Sequence, residues 1–212
     1  MVYPIGKILA PPIYNLWVSK ISGLENLPRE KSFIAALNHS SYYDALLSYT
    51  IIIPILNRQM HALVNSVYWN NPFFRMIVKW GKCIPVYVDK NIKSNKKNNE
   101  SSNKAISFLK QGHIIVIFPE GTRSRDGKLK KAYTGVAKLA LAAKVPIIPF
   151  GIISSHEVMP KGSALPKFKR CRVKIGKPIY TKNIKPTKAN YEKITKIVMR
   201  QIAELIGQKY NF

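Results

Sequence analysis

Acidic residues are what this chain has least of. Ten Asp and Glu stand against 35 Lys and Arg in 212 residues, leaving a formal net charge of +25. A surface biased in this way attracts polyanions or anionic lipid. Cysteine is nearly absent as well. Cys83 and Cys171 form no CxxC pattern, which excludes a cysteine-based zinc site and a disulfide framework and suits a reducing compartment. No run approaches the roughly 20 apolar residues needed to span a bilayer, and the longest, 45–56, is broken by Pro54. The apolar N-terminal stretch is interrupted by Pro4, Pro11 and Pro12, and no small-residue cleavage site follows it cleanly. It is therefore expected to belong to the mature protein. No internal repeat is visible.

What is present suffices for one core. Hydrophobic residues make up 46% of the chain and charged residues 21%, which excludes wholesale disorder and a collagen-like chain. Short apolar runs at 33–37 (FIAAL), 59–64, 83–88, 113–118 (HIIVIF), 146–152 and 172–175 read as strands. Helices are expected from 45 to about Pro54, over 72–80 with a stop at Gly81, over 132–143 and over 189–206. The last has Tyr191, Ile194, Ile197, Val198, Ile202 and Leu205 at helical spacing. The lysine- and asparagine-rich stretch 90–104 reads as a mobile, solvated loop entering a helix that ends at Gly112. Strands alternating with helices predict a single-domain α/β fold, a mixed, largely parallel sheet flanked by helices, over 21–212. Residues 1–20 form a separate segment, with Tyr3, Tyr14 and Trp17 suited to a membrane interface or, equally, to packing on the domain.

Two segments at strand ends hold the chemistry. In Asn38-His39-Ser40-Ser41-Tyr42-Tyr43-Asp44, a carboxylate five residues from an imidazole can accept from one ring nitrogen. The other nitrogen is then left to take a proton from a hydroxyl or thiol. The same residues also suit a helix cap around a hydrogen-bonded turn histidine. The second segment, Phe118-Pro119-Glu120-Gly121-Thr122-Arg123-Ser124, follows the clearest buried strand, and ligands of open α/β sheets bind at such carboxyl ends. Gly121 permits close backbone approach to an anion, Thr122 donates, and Arg123 clamps a phosphate. Glu120 accepts from a ligand hydroxyl or holds an arginine. The bland reading is an Asp126-Gly127 turn on a basic surface loop. His61, His113 and His156 have no acidic neighbour at a suitable spacing and read as structural. No metal-ligand spacing appears among His39, Asp44 and Glu120.

The two segments in this order resemble the glycerolipid acyltransferases, the family of lysophosphatidate and glycerol-phosphate acyltransferases. The first block of that family, NHxxxxD, is met by Asn38, His39 and Asp44, and its third, FPEGTRS, from Phe118 to Ser124. Its fourth block corresponds to Val145-Pro146-Ile147-Ile148-Pro149. A looser second block is met by 81–90, with Lys90 where the family has arginine. The resemblance extends over about 21–180.

The resemblance implies acyl transfer from acyl-CoA or acyl carrier protein to a hydroxyl of lysophosphatidate, with no cofactor. His39 would act as general base oriented by Asp44, and Glu120, Gly121, Thr122, Arg123 and Lys90 would hold the acceptor. Oxyanion donors are sought among backbone N–H groups at helix starts or near Gly151. The expected partners are an anionic membrane surface, a lysophospholipid and the thioester donor, with peripheral attachment on the cytoplasmic side. Alternatives are another lysolipid or glycerol-phosphate acceptor, an idle lipid-binding homologue and, remotely, a basic nucleic-acid binder. The last lacks any recognised binding motif, so no nucleic acid is expected.

Overall fold

Of the apolar run 33–37, residues 34–37 form a buried strand, and the sheet is built around it. The computed structural model describes residues 8, 9, 11, 12, 16–88, 91–160, 162, 163 and 165–212. Seven strands, β1 (Val18–Ser22), β2 (Ile34–Leu37), β3 (Met60–Asn65), β4 (Ile84–Val86), β5 (Ile114–Ile117), β6 (Ile147–Ile153) and β7 (Cys171–Ile175), form one sheet in the order β1-β7-β6-β2-β5-β3-β4. The five strands from β6 to β4 are parallel. β7 runs antiparallel to β6 and carries β1 parallel to itself at the edge. The expected largely parallel α/β sheet is therefore present, and the carboxyl ends of β2, β5, β3 and β6 open on the same side.

Helices are α1 (Tyr43–Leu56), α2 (Pro72–Trp80), α3 (Ile92–Lys110), α4 (Gly135–Ala143), the single turn α5 (Ser155–Val158) and α6 (Lys188–Ile206). Because successive strand side chains point to opposite faces, β2 sends Ala35 and Leu37 into one core layer with Leu47, Ile51 and Ile52 of α1. It sends Ile34 and Ala36 into the other, with Ala105 and Leu109 of α3, Val136 and Ala140 of α4, and Ile194, Val198 and Ile202 of α6. Helices on both faces explain why the strands read as continuous apolar runs instead of alternating ones.

Four expectations change. Most of the stretch 90–104, expected to be a loop, is helical, since α3 starts at Ile92. Asn91 caps it by accepting from the Ser94 N–H, and Ser94, Ser101, Ala105 and Leu109 form a buried stripe of mostly small residues. The Asn98 amide adds a clamp, accepting from the Tyr87 N–H and donating to the Tyr87 carbonyl. Helix α1 passes through Pro54 and ends at Leu56, because Asn57 in a left-handed conformation donates to the Ile53 carbonyl and closes the last turn. Strand β1 starts at Val18, so the expected boundary between 20 and 21 cuts a sheet strand. It pairs with β7 about 150 residues later, a partnership no local pattern records. Finally, α6 buries Thr195, Met199 and Ala203 beside Ile194, Val198 and Ile202, while Ile197 is exposed.

Candidate active site

Strand β2 delivers Asn38 and His39 to the carboxyl edge of the sheet. The Asn38 side chain clamps that edge to β6, donating to the Ile152 carbonyl at 2.9 Å and accepting from the Ile152 N–H at 2.7 Å. The chain then turns into α1, whose second residue is Asp44. One carboxylate oxygen, Oδ2, accepts from His39 Nδ1 at 2.9 Å, from the Ser40 N–H at 2.7 Å and from the Ser41 N–H at 2.8 Å. Three donors on one oxygen hold the carboxylate fully buried under the imidazole. Asp44 therefore both ties down the turn before the helix and orients the ring.

With Nδ1–H committed to Asp44, the neutral ring carries its lone pair on Nε2. Among the described residues Nε2 has no hydrogen-bond partner, and the side chain is 18% exposed. The other face of the ring is stacked on Phe118, with centroids 4.0 Å apart. The imidazole is thus fixed in plane and proton position, with Nε2 left without a hydrogen-bond partner among the described residues.

The second segment closes on the first. Glu120 Oε1 accepts from the His39 backbone N–H at 2.9 Å, and the Ser124 N–H donates to the His39 carbonyl at 2.7 Å. Glu120 Oε2 accepts from the Lys130 N–H at 2.8 Å. Glu120 was expected to meet a ligand hydroxyl or to hold an arginine. Here it is 2% exposed, and both oxygens are taken by backbone amides. It joins the two loops from inside. Burial pushes its carboxyl up to about 7, against the lowering effect of those two amides.

Gly121, Thr122 and Arg123 line the same edge. Gly121 has φ +65°, and a Cβ there would lie 3.0 Å from the Tyr133 ring, so the loop needs glycine at this point. Thr122 is exposed. The Arg123 guanidinium lies over the Tyr42 ring at 3.4 Å, and Lys130 Nζ donates to the Arg123 carbonyl. Its Nη1 is buried with no partner among the described residues. Tyr68 lies close to Tyr42 and to the Arg123 guanidinium. Lys90 lies outside the described residues. Gly151 is not placed to serve an oxyanion, because it is buried in β6 where a Cβ would press on Leu205 and Ile206 of α6.

Sequence reasoning missed the stack of His39 on Phe118 and the Tyr68–Tyr42–Arg123 arrangement. The former was signalled by the aromatic opening the FPEGTRS segment. The latter pairs residues from three separate segments and had no local signal. Tyr43, next to Tyr42 in the chain, is buried in the core against Trp17, and burial pushes its phenol well up.

With this geometry established, three comparisons bear on the chain. A family model described as Acyltransferase matches residues 18–153. The chain is similar to the 1-acyl-sn-glycerol-3-phosphate acyltransferase of Bacillus subtilis (strain 168), 29% identical over 190 residues, covering 88% of this chain and 87% of that protein. It is also similar to the chloroplastic 1-acyl-sn-glycerol-3-phosphate acyltransferase BAT2 of Brassica napus, 27% identical over 179 residues, covering 83% of this chain but 49% of that longer protein. Among solved structures, the 1-acyl-sn-glycerophosphate (LPA) acyltransferase PlsC from Thermotoga maritima superposes with a TM-score of 0.70. At 20% identity it covers 98% of this chain and 80% of that one, and it supports the fold.

Proposed function

Since the chain belongs to the acyltransferase family, we propose that it moves a fatty acyl group from a thioester donor to the free hydroxyl of lysophosphatidate, forming phosphatidate. The observation that carries this reading is the join between the base and the anion loop. His39, oriented by Asp44 at 2.9 Å, is bound through its own N–H and C=O to Glu120 and Ser124 of the loop that presents Arg123. The names borne by the Bacillus and Brassica relatives support the choice of acceptor.

The chemistry follows from the two nitrogens of one ring. Nε2 of His39 takes the proton of the acceptor hydroxyl as its oxygen bonds to the thioester carbonyl carbon, a role that contributes typically about 10²–10⁴-fold. Asp44 stabilises the imidazolium that forms. When the tetrahedral intermediate collapses, the C–S bond breaks and His39 returns the proton to the departing thiolate. No protein nucleophile is needed, because the acceptor supplies the attacking oxygen. Arg123, with a buried unpartnered N–H and a guanidinium held flat by Tyr42, is suited to a phosphate oxygen of the acceptor. Gly121 and Thr122 border the same anion, and Lys90 adds charge from the second block. Glu120 serves the acceptor indirectly, by holding the loop.

Acyl-CoA and acyl carrier protein both fit a chain of net charge +25 as donors. The same charge suits peripheral attachment to the cytoplasmic leaflet, the side on which thioester donors occur, at about 1 kcal/mol per cation close to an anionic surface. Among the described residues no helix is long and apolar enough to cross a membrane. The test is a screen of purified protein with both donor classes against lysophosphatidate, other lysolipids and glycerol phosphate, read by mass spectrometry. Phosphatidate as the dominant product is expected. Turnover confined to another acceptor would replace this reading with the runner-up.

A further inference from the structure

Helix α2 wears its apolar residues on the outside. Phe73, Met76, Ile77 and Trp80 fall at i, i+3, i+4 and i+7 and therefore form one stripe. They are 62, 62, 45 and 61% exposed, and Val78 is the helix's one buried residue. Val67, in the 3₁₀ turn Ser66–Trp69 just before it, is exposed as well. Single exposed apolar residues are ordinary, but a contiguous stripe of this kind marks a surface that meets something.

The charges around it indicate what that is. Arg75 and Lys79 sit on the polar side of the helix and Lys82 follows it, while residues 66–82 contain no acid. Trp69, Trp80 and Tyr68 add the aromatic rings that favour the headgroup region of a bilayer. A second copy of a chain carrying +25 would repel this basic surround, whereas anionic headgroups complement it.

The stripe is also wired to the site. Phe74 packs edge-on against Tyr68 with centroids 5.4 Å apart, Tyr68 lies close to Tyr42, and the Tyr42 ring lies under the Arg123 guanidinium. The same end of the sheet carries His39, because α2 follows the carboxyl end of β3 as His39 follows that of β2.

We infer that the outward stripe of α2 docks onto an anionic phospholipid bilayer, burying Phe73, Met76, Ile77 and Trp80 at headgroup depth. The candidate active site is thereby set against the membrane surface. The inference rests on the lipid-acceptor reading and adds to it the element that makes contact.

The experiment pairs a binding readout with a reaction that needs no bilayer. Full-length wild type and F73E/M76E are floated with phosphatidylglycerol-containing vesicles at moderate salt, and each is assayed with a short-chain, monomeric lysophosphatidate. Both replaced side chains are solvent-exposed, so circular dichroism should match wild type. The double variant should lose vesicle partitioning by about tenfold or more and leave turnover on the monomeric acceptor within about twofold. Bromine-labelled lipids should quench the tryptophan fluorescence of the wild type, and W80F should reduce that quenching. Unchanged partitioning of F73E/M76E overturns the inference. So does a concentration-dependent dimer, seen by sedimentation, that the double variant abolishes without altering vesicle binding. A wild type that binds vesicles through α2 but acylates no lysophosphatidate would instead count against the proposed function alone.

Discussion

Two histidines sit at opposite ends of the sheet in opposite circumstances. At the carboxyl end, His39 gives Nδ1 to a carboxylate and leaves Nε2 without a hydrogen-bond partner among the described residues. At the amino end, His61, the second residue of β3, has both nitrogens engaged. Nδ1 donates to the Lys82 carbonyl at 2.8 Å, and Nε2 meets His113 Nδ1 at 3.0 Å. His61 is fully buried and stacked on Phe108, and Arg58 braces the same end by donating to the Gly112 and Lys31 carbonyls. Both rings are stacked, oriented and ordered. What separates a candidate base from a structural strut is one nitrogen left without a partner among the described residues and one carboxylate behind the ring.

Removing the carboxylate is the most severe way to break that contrast. Asp44→Asn should reduce turnover by about 10²–10⁴-fold, up to the whole contribution of the base it orients, because an amide in this position can donate to Nδ1 and favour the wrong tautomer. Turnover per folded molecule measures it. A loss below tenfold would put His39 in the same class as His61.

Next in size is the anion loop. Arg123→Ala should raise the acceptor KM by an amount corresponding to about 2–5 kcal/mol if the phosphate contact is desolvated. Tyr42→Leu should have a smaller effect in the same direction, because it removes the plate on which the guanidinium rests. Equal losses with lysophosphatidate and with a neutral monoacylglycerol acceptor would exclude Arg123 from phosphate binding.

The smallest effect distinguishes the two ends by the sign of their pH dependence. Burial raises Glu120 from its ordinary 4.5 to about 7. Its contribution is therefore complete below 4.5 and is lost as pH rises through about 7. Desolvation, with Lys82, Lys104, Arg58 and each other nearby, lowers both His61 and His113 from 6.5. Their contribution is present above 6.5 and is lost as pH falls below it. In denaturant melts, Glu120→Gln should flatten the decline between 4.5 and 7, with a slope change of at most about 1.4 kcal/mol per pH unit. It should also cost about 1–3 kcal/mol at low pH, because one of the two amides loses its acceptor. His61→Phe should be least damaging in acid and most damaging above pH 7. The reverse order for either variant would refute its assignment.

The two ends were also unequally legible in the sequence. The His39–Asp44 pair and the Phe118–Ser124 loop were readable because their chemistry is written in seven-residue segments beside apolar strands. The inward turn of Glu120 was not, because its partners are backbone amides at positions 39 and 130. Helix α3 hid behind its composition, since a stripe of serine and alanine buries little apolar area and lets lysine and asparagine dominate the text. The stripe on α2 had the period of a core-facing helix, and periodicity alone says nothing about which way a helix faces. β1 had too little local signal to be called a strand, and its partner is remote.

The central claim is that His39 takes the acceptor proton. It is met most directly by single-turnover acyl transfer with His39→Ala, using saturating thioester and lysophosphatidate and following phosphatidate by mass spectrometry. A folded variant that still binds lysophosphatidate but forms product about 10²–10⁴-fold more slowly is predicted. Product formation at the wild-type rate would contradict it.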